Sequence, residues 1–162
     1  MLNVLRNFIA EWTGGSTPDR QFGEDDHRLA AAALLYHVVA VDGEVAEAER
    51  ERLHELLKAR YGLDEEATEK LVRAAVEADD EAVDFYRFTS VLKAQLDEID
   101  REQIVAMMWD LVYADGRLTE FEDNSIWRVA DLLGVSGRSR LRLKKIVQSG
   151  GSAVETLAPP KA

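Results

Sequence analysis

The chain carries one pattern twice, 73 residues apart: Val41-Asp42-Gly43-Glu44-Val45-Ala46-Glu47-Ala48-Glu49 and Ala114-Asp115-Gly116-Arg117-Leu118-Thr119-Glu120-Phe121-Glu122. Aligned at that offset, Val39 matches Val112, Asp42 matches Asp115, Gly43 matches Gly116, Glu47 matches Glu120 and Glu49 matches Glu122. Elsewhere only apolar character is kept, as at Leu53 with Ile126 and Leu56 with Val129. A repeat of this length makes the fold two related halves, each a supersecondary unit that buries its apolar face against the other.

Both halves have helical period, and no alternating run bounded by turn residues argues for a strand. The expected class is all-α, a bundle of about seven to eight helices built from two three-helix repeats, about 25–78 and 100–148. The first helix of the body starts near Asp25 or Asp26. It buries Leu29, Ala33, Tyr36 or His37, and Ala40, with Leu34, Leu35, Val38 and Val39 widening the stripe, so it should lie at the centre. Asp42-Gly43 stops it, because glycine takes the left-handed conformation at low cost.

A second helix runs from about Ala46 to Arg60 and ends at Gly62. Asp64 caps a third through about Ala78. A linking helix spans Val83 to Leu96 with Phe85, Phe88, Val91, Leu92 and Leu96 facing in. The plan then repeats: Asp100-Arg101-Glu102-Gln103 reads as a capping box, Asp115-Gly116 as a stop, Thr119 to Leu133 as a helix, and Gly134-Val135-Ser136 as the junction to a last helix ending near Gln148. Trp109, Trp127, Tyr36 and Phe88 fall at core spacing.

Outside this body (24–148), residues 1–12 place Leu2, Leu5, Phe8, Ile9 and Trp12 on one helical face, residues 13–23 read as a linker and 149–162 as a flexible tail. The 162 residues carry 31 acidic against 20 basic side chains, a formal charge of -11. That field disfavours nucleic acid and anionic membrane and favours cations and basic partners. There is no cysteine, which removes disulfides, thiolate zinc sites and cysteine nucleophiles and suits a reducing cytosol. The longest apolar run, Leu29 to Val41, is too short to span a membrane. One local exception to the acidic field is the last helix, with Arg138, Arg140, Arg142, Lys144 and Lys145.

Three readings of the doubled acidic motif stay open. Asp-Gly is an ordinary interhelical turn, and Thr119-Glu120-Phe121-Glu122 is a capping box in its own right. In the first copy Ala46 replaces the threonine and leaves Glu49 half a reason to be there. Alternatively, the motif resembles the latter half of a calcium-binding loop, but the earlier ligand positions fall on apolar or aromatic residues. A cation would then need both halves, Asp42, Glu49, Asp115 and Glu122 acting together, with Glu47 and Glu120 as less secure additions. Two carboxylates about 5 Å apart at an effective dielectric near 20 repel by roughly 3 kcal/mol, so four together need a cation, a basic partner or a proton. Arg50, Arg52 and Arg117 are near enough in sequence to compensate. The third reading is an acidic adaptor that docks a basic protein segment without metal. An all-oxygen ligand set favours Ca²⁺ or Mg²⁺ over Zn²⁺.

Ala40-Val41-Asp42-Gly43 followed by Glu49 and Leu53, and Tyr113-Ala114-Asp115-Gly116 followed by Glu122 and Leu132-Leu133-Gly134-Val135-Ser136, resemble the TerB family of tellurite-resistance proteins. The N-terminal region of DjlA-type membrane co-chaperones is similar. The resemblance covers roughly residues 26–147. It implies an all-helical fold, a bacterial stress setting involving tellurite, and an acidic cluster proposed to hold metal, with Asp42, Glu49, Asp115 and Glu122 at the family's acidic positions. With no evident base, nucleophile or substrate pocket in the sequence, the expected function is a non-catalytic module in metal or envelope stress. The chain is expected to act with protein partners, membrane-associated stress proteins among them, at a cytoplasmic location that extends to the inner-membrane surface.

Overall fold

In a computed structural model, residues 22–23, 25–41, 43, 45–82, 85–114 and 116–150 are described. They form seven helices and no strand: α1 (His27–Ala40), α2 (Glu47–Tyr61), α3 (Glu65–Glu81), α4 (Tyr86–Gln95), α5 (Glu98–Val112), α6 (Glu120–Leu132) and α7 (Gly137–Gln148). The expected helix over 1–12 and the segment 151–162 lie outside the described residues.

Side-chain caps set most of the helix starts. Asp26, Asp64, Asp97, Thr119 and Ser136 each stand in extended backbone and accept a hydrogen bond from an amide of the following first turn, satisfying a donor that the helix itself leaves open. The ends rely on glycine. Gly62 and Gly134 take φ +61 and +75 after α2 and α6, and the next amides, of Leu63 and Val135, donate to the Lys58 and Ala130 carbonyls at 3.1 and 2.9 Å, the wrapped helix end that a left-handed residue permits.

One start differs from expectation. Asp97, not Asp100, caps α5, accepting from the Asp100 amide at 2.8 Å. Leu96 ends α4 in extended backbone and Asp97 continues it, so Glu98-Ile99-Asp100 are left to form a first helical turn and gain its hydrogen bonds. Asp100 then lies inside the helix, where its carboxylate meets Arg60 of α2 at 3.4 Å. α3 also runs on to Glu81, past Ala78, and α4 begins at Tyr86, with Phe85 as its cap.

The core is organised around α1, in which every residue from Leu29 to Leu35 is buried, together with Val38 and Val39. Four successive alanines, Ala30 to Ala33, bring neighbouring backbones close, and α1 packs on α2, α3, α4, α5 and α6. Its counterpart α5 is buried continuously from Gln103 to Trp109 and packs on α1, α2, α6 and α7. The Trp109 indole is wholly buried and donates to the Arg140 carbonyl at 3.1 Å, fixing α7 to α5. Phe22, read from sequence as linker, is buried under the Arg28 guanidinium.

Trp127 departs from its expected core position: it is 52% exposed. The buried stripe of α6 is Glu122, Ser125, Ile126, Val129 and Ala130, and at 100° per residue Trp127 falls on the side away from it. Tyr36 and His37 are half-buried, and the His37 Nδ1 lies 2.8 Å from an Asp79 carboxylate oxygen on α3.

Candidate functional site

The two acidic segments fold alike. In each, the helix before the turn ends, a glycine takes positive φ (+87 at Gly43, +78 at Gly116), and its amide donates to the carbonyl three residues back, Ala40 or Tyr113, at 3.0 Å. Each following helix then opens with a buried glutamate at its third position. Glu49 Oε1 accepts from the Ala46 amide at 3.0 Å, and Glu122 Oε1 accepts from the Thr119 amide at 3.0 Å.

The second copy closes a full capping box, since Thr119 Oγ1 accepts from the Glu122 amide at 3.1 Å. The first has the glutamate half alone, because alanine offers no oxygen. Both glutamates are nevertheless 3% exposed or less. A carboxylate in the first turn is favoured by the helix dipole and by the amide it accepts from, so the caps explain how each is held through Oε1.

Where the two turns sit relative to each other follows from α2 and α5. Arg52, one turn after Glu49, binds Asp110 in bidentate fashion, Nε to Oδ1 at 3.0 Å and Nη2 to Oδ2 at 2.7 Å. At the other end of the same helix pair Arg60 meets Asp100. The helices therefore run antiparallel. The start of α2 lies beside the end of α5, and α2 is joined to the end of α1 only by residues 41–46. The turn after α1 and the turn after α5 thus lie at one end of the bundle. The second half makes the matching contact, with α6 packing on α1 as α2 packs on α5. There, the Phe85 ring has the His37 ring at 5.1 Å and the Arg128 guanidinium at 5.4 Å.

Of the sequence-derived ligands, Glu49 and Glu122 are placed as described, buried in the first turns of α2 and α6, while Glu47 and Glu120 are exposed beside them. Asp42 and Asp115 lie outside the described residues. Among the described residues no three histidine, aspartate or glutamate side chains converge as a metal-holding group. Of the arginines named as compensators, Arg52 is committed to Asp110 and, at 3.0 Å, to Glu55. Its hydrogen bonds to Asp110 raise the guanidinium pKa above the ordinary arginine value despite partial burial.

Asp110 is the residue that sequence reasoning undervalued. It aligns with His37 at the 73-residue offset, yet the two have different partners, Arg52 and Asp79. His54 contacts Glu65 at 2.9 Å on the surface between α2 and α3.

No described helix is long and apolar enough to cross a membrane. No curated protein and no solved structure matches the chain. The sequence profile of the TerB family, described as tellurite resistance protein TerB, matches residues 28–145. That span runs from the first turn of α1 into the last turns of α7 and takes in both acidic segments. With the match extending over most of its length, the chain belongs to the TerB family.

Proposed function

We propose that this TerB-family chain is a non-catalytic module that binds a divalent cation through carboxylates drawn from both halves, Asp42 and Glu49 from one and Asp115 and Glu122 from the other. Glu47 and Glu120 stand at the rim. The observation that carries the reading is the bidentate Arg52–Asp110 pair, which sets the start of α2 against the end of α5 and so puts both acidic turns at one end. The oxygen-only donor set suits Ca²⁺ or Mg²⁺ better than Zn²⁺. A cation there would offset the mutual repulsion of the acidic groups.

The chain's own contribution is positional. Buried helix starts hold Glu49 and Glu122 in fixed rotamers through their caps, so little side-chain entropy remains to be lost on binding. The cellular role we propose is a cytoplasmic one, reaching to the inner-membrane surface, in tellurite, metal or envelope stress together with protein partners. Its tellurite setting rests on the family description.

Thermal unfolding of metal-stripped protein, with and without Ca²⁺, Mg²⁺, Mn²⁺ or Zn²⁺, tests the cation reading. At about 100 times the dissociation constant, a bound ion adds roughly 2.7 kcal/mol to stability. A rise in melting temperature with Ca²⁺ or Mg²⁺ that disappears in the Asp42→Asn, Asp115→Asn double variant supports it. No shift with any ion, or an undiminished shift in the variant, overturns it.

A further inference from the structure

The third helices of the two halves carry opposite charge on their solvent faces. On α7, Arg138, Leu141, Arg142 and Lys145 follow the i, i+3, i+4, i+7 spacing of one helix face, and with Ile146 they line an open groove of about 690 Å³. Leu141 is 47% exposed at its centre. Arg142 is shared with Glu102 at 2.9 Å, whereas Arg138 and Lys145 have no ion pair with any described residue. On α3, the exposed side chains Glu66, Glu69, Glu77 and Asp80 lie along one face, broken only by Arg73. Glu66 is partly compensated by Lys70 at 3.3 Å, and the others have no ion pair with a described residue. Val72 and Val76, half-buried and one turn apart, edge that face.

We propose that copies of this chain associate head to tail, the basic face of α7 on one copy seating against the acidic face of α3 on the next. α3 packs on α1 and α2, and α7 packs on α5 and α6, so the two faces belong to different flanks of the bundle and meet only between molecules. The net charge of -11 does not forbid this. With a screening length of about 8 Å at physiological ionic strength, only charges near the contact are felt, and there the signs are opposite. A long polyanion or an anionic bilayer extends past α7 and meets the acidic remainder of the body. Leu141 against Val72 and Val76 supplies the apolar centre that a purely ionic contact lacks. Because the two surfaces differ, the contact is heterologous and leaves a free α3 and a free α7 at the ends of every open assembly.

The test is sedimentation velocity of the full chain over a wide concentration range in chelator, where the cation reading plays no part. The wild type should show a weight-average mass that keeps climbing with concentration and falls with added salt. R138E/K145E and E69K/E77K, both checked by circular dichroism, should each associate at least about tenfold more weakly. Mixed in equal amounts they should regain association, since each then supplies a face complementary to the other. A zero-length carbodiimide cross-link between Lys145 of one copy and Glu69, Glu77 or Asp80 of another should form in the wild type without any substitution. A chain that stays monomeric throughout, a mass that levels off at the dimer, a mixture no more associated than its components, or the loss of that cross-link would each overturn the proposal. Arg138- and Lys145-dependent binding to phosphatidylglycerol vesicles by a monomeric chain would do so as well.

Discussion

Arg52 and Asp110, 58 residues apart in sequence, grip each other through two hydrogen bonds of 3.0 and 2.7 Å across the α2–α5 interface. The Asp110 carboxylate is mostly buried and the Arg52 guanidinium about one-third exposed. The pair joins the helix that carries Glu49 in its first turn to the helix that ends before Asp115, and so fixes the start of α2 beside the end of α5.

Replacing Arg52 by methionine should therefore leave Asp110 partly desolvated and without its cation. A fully buried pair broken this way costs about 3–5 kcal/mol, and screening by solvent at the arginine reduces that to about 1–2 kcal/mol. Urea unfolding of Arg52→Met, Asp110→Asn and the double variant gives the coupling directly. The double variant should be less destabilised than the sum of the two single changes.

The unequal caps of α2 and α6 predict opposite results from mirrored changes. Thr119→Ala removes the hydroxyl that accepts from the Glu122 amide and should cost about 1 kcal/mol. Ala46→Ser supplies the missing half of the first box at a residue already in extended backbone, φ -64 and ψ 149, and should gain up to about 1 kcal/mol. Chemical denaturation of both variants checks the pair of signs.

Gly62 and Gly134 both need positive φ, but only one is crowded. An added Cβ at Gly62 meets nothing within 4 Å, whereas at Gly134 it would lie 3.0 Å from Arg101 Nη1, the atom that donates to the Leu133 carbonyl at 2.7 Å. Gly62→Ala should lose about 1 kcal/mol from backbone strain alone. Gly134→Ala should lose more, because it also displaces the arginine from its carbonyl. Equal losses in denaturant melts would contradict the crowding argument.

Acid stability should depend on Arg28. Burial by itself raises the Asp26 pKa, but the side-chain and backbone hydrogen bonds from Arg28 outweigh it and hold the carboxyl below its ordinary value of 3.8. A depressed folded pKa contributes stability that is present above the unfolded value and lost as pH falls through the folded one. Stability measured from neutral pH downward should accordingly drop below pH 3.8 more steeply in the wild type than in Arg28→Met, which has less of this contribution to lose.

Much of the fold was legible because helix punctuation is local. Asp64, Thr119 and Ser136 as caps, and Gly43, Gly62, Gly116 and Gly134 as stops, are fixed by backbone conformations that few other residues take at comparable cost. The α5 start was misread because two aspartates, Asp97 and Asp100, compete within one turn, and the choice depends on where α4 releases the chain. Trp127 was misread because residue type suggested burial while the phase of Ser125, Ile126, Val129 and Ala130 assigns it to the outer face. The pairs Arg52–Asp110 and His37–Asp79 join residues 58 and 42 positions apart, and no local rule selects such partners. For the candidate site, the repeat and the first-turn glutamates Glu49 and Glu122 were legible in sequence, while the position of both turns at one end of the bundle came only from the helix packing.

The most direct test of a shared site is its stoichiometry. Calcium titration calorimetry on metal-stripped wild type, Glu49→Gln and Glu122→Gln keeps the fold intact, because glutamine still offers an oxygen to each cap amide. A site drawn from both halves predicts a single ion per chain in the wild type and a large loss of affinity for that ion in either variant alone. Two ions per chain, with each variant losing one and keeping the other, would contradict it.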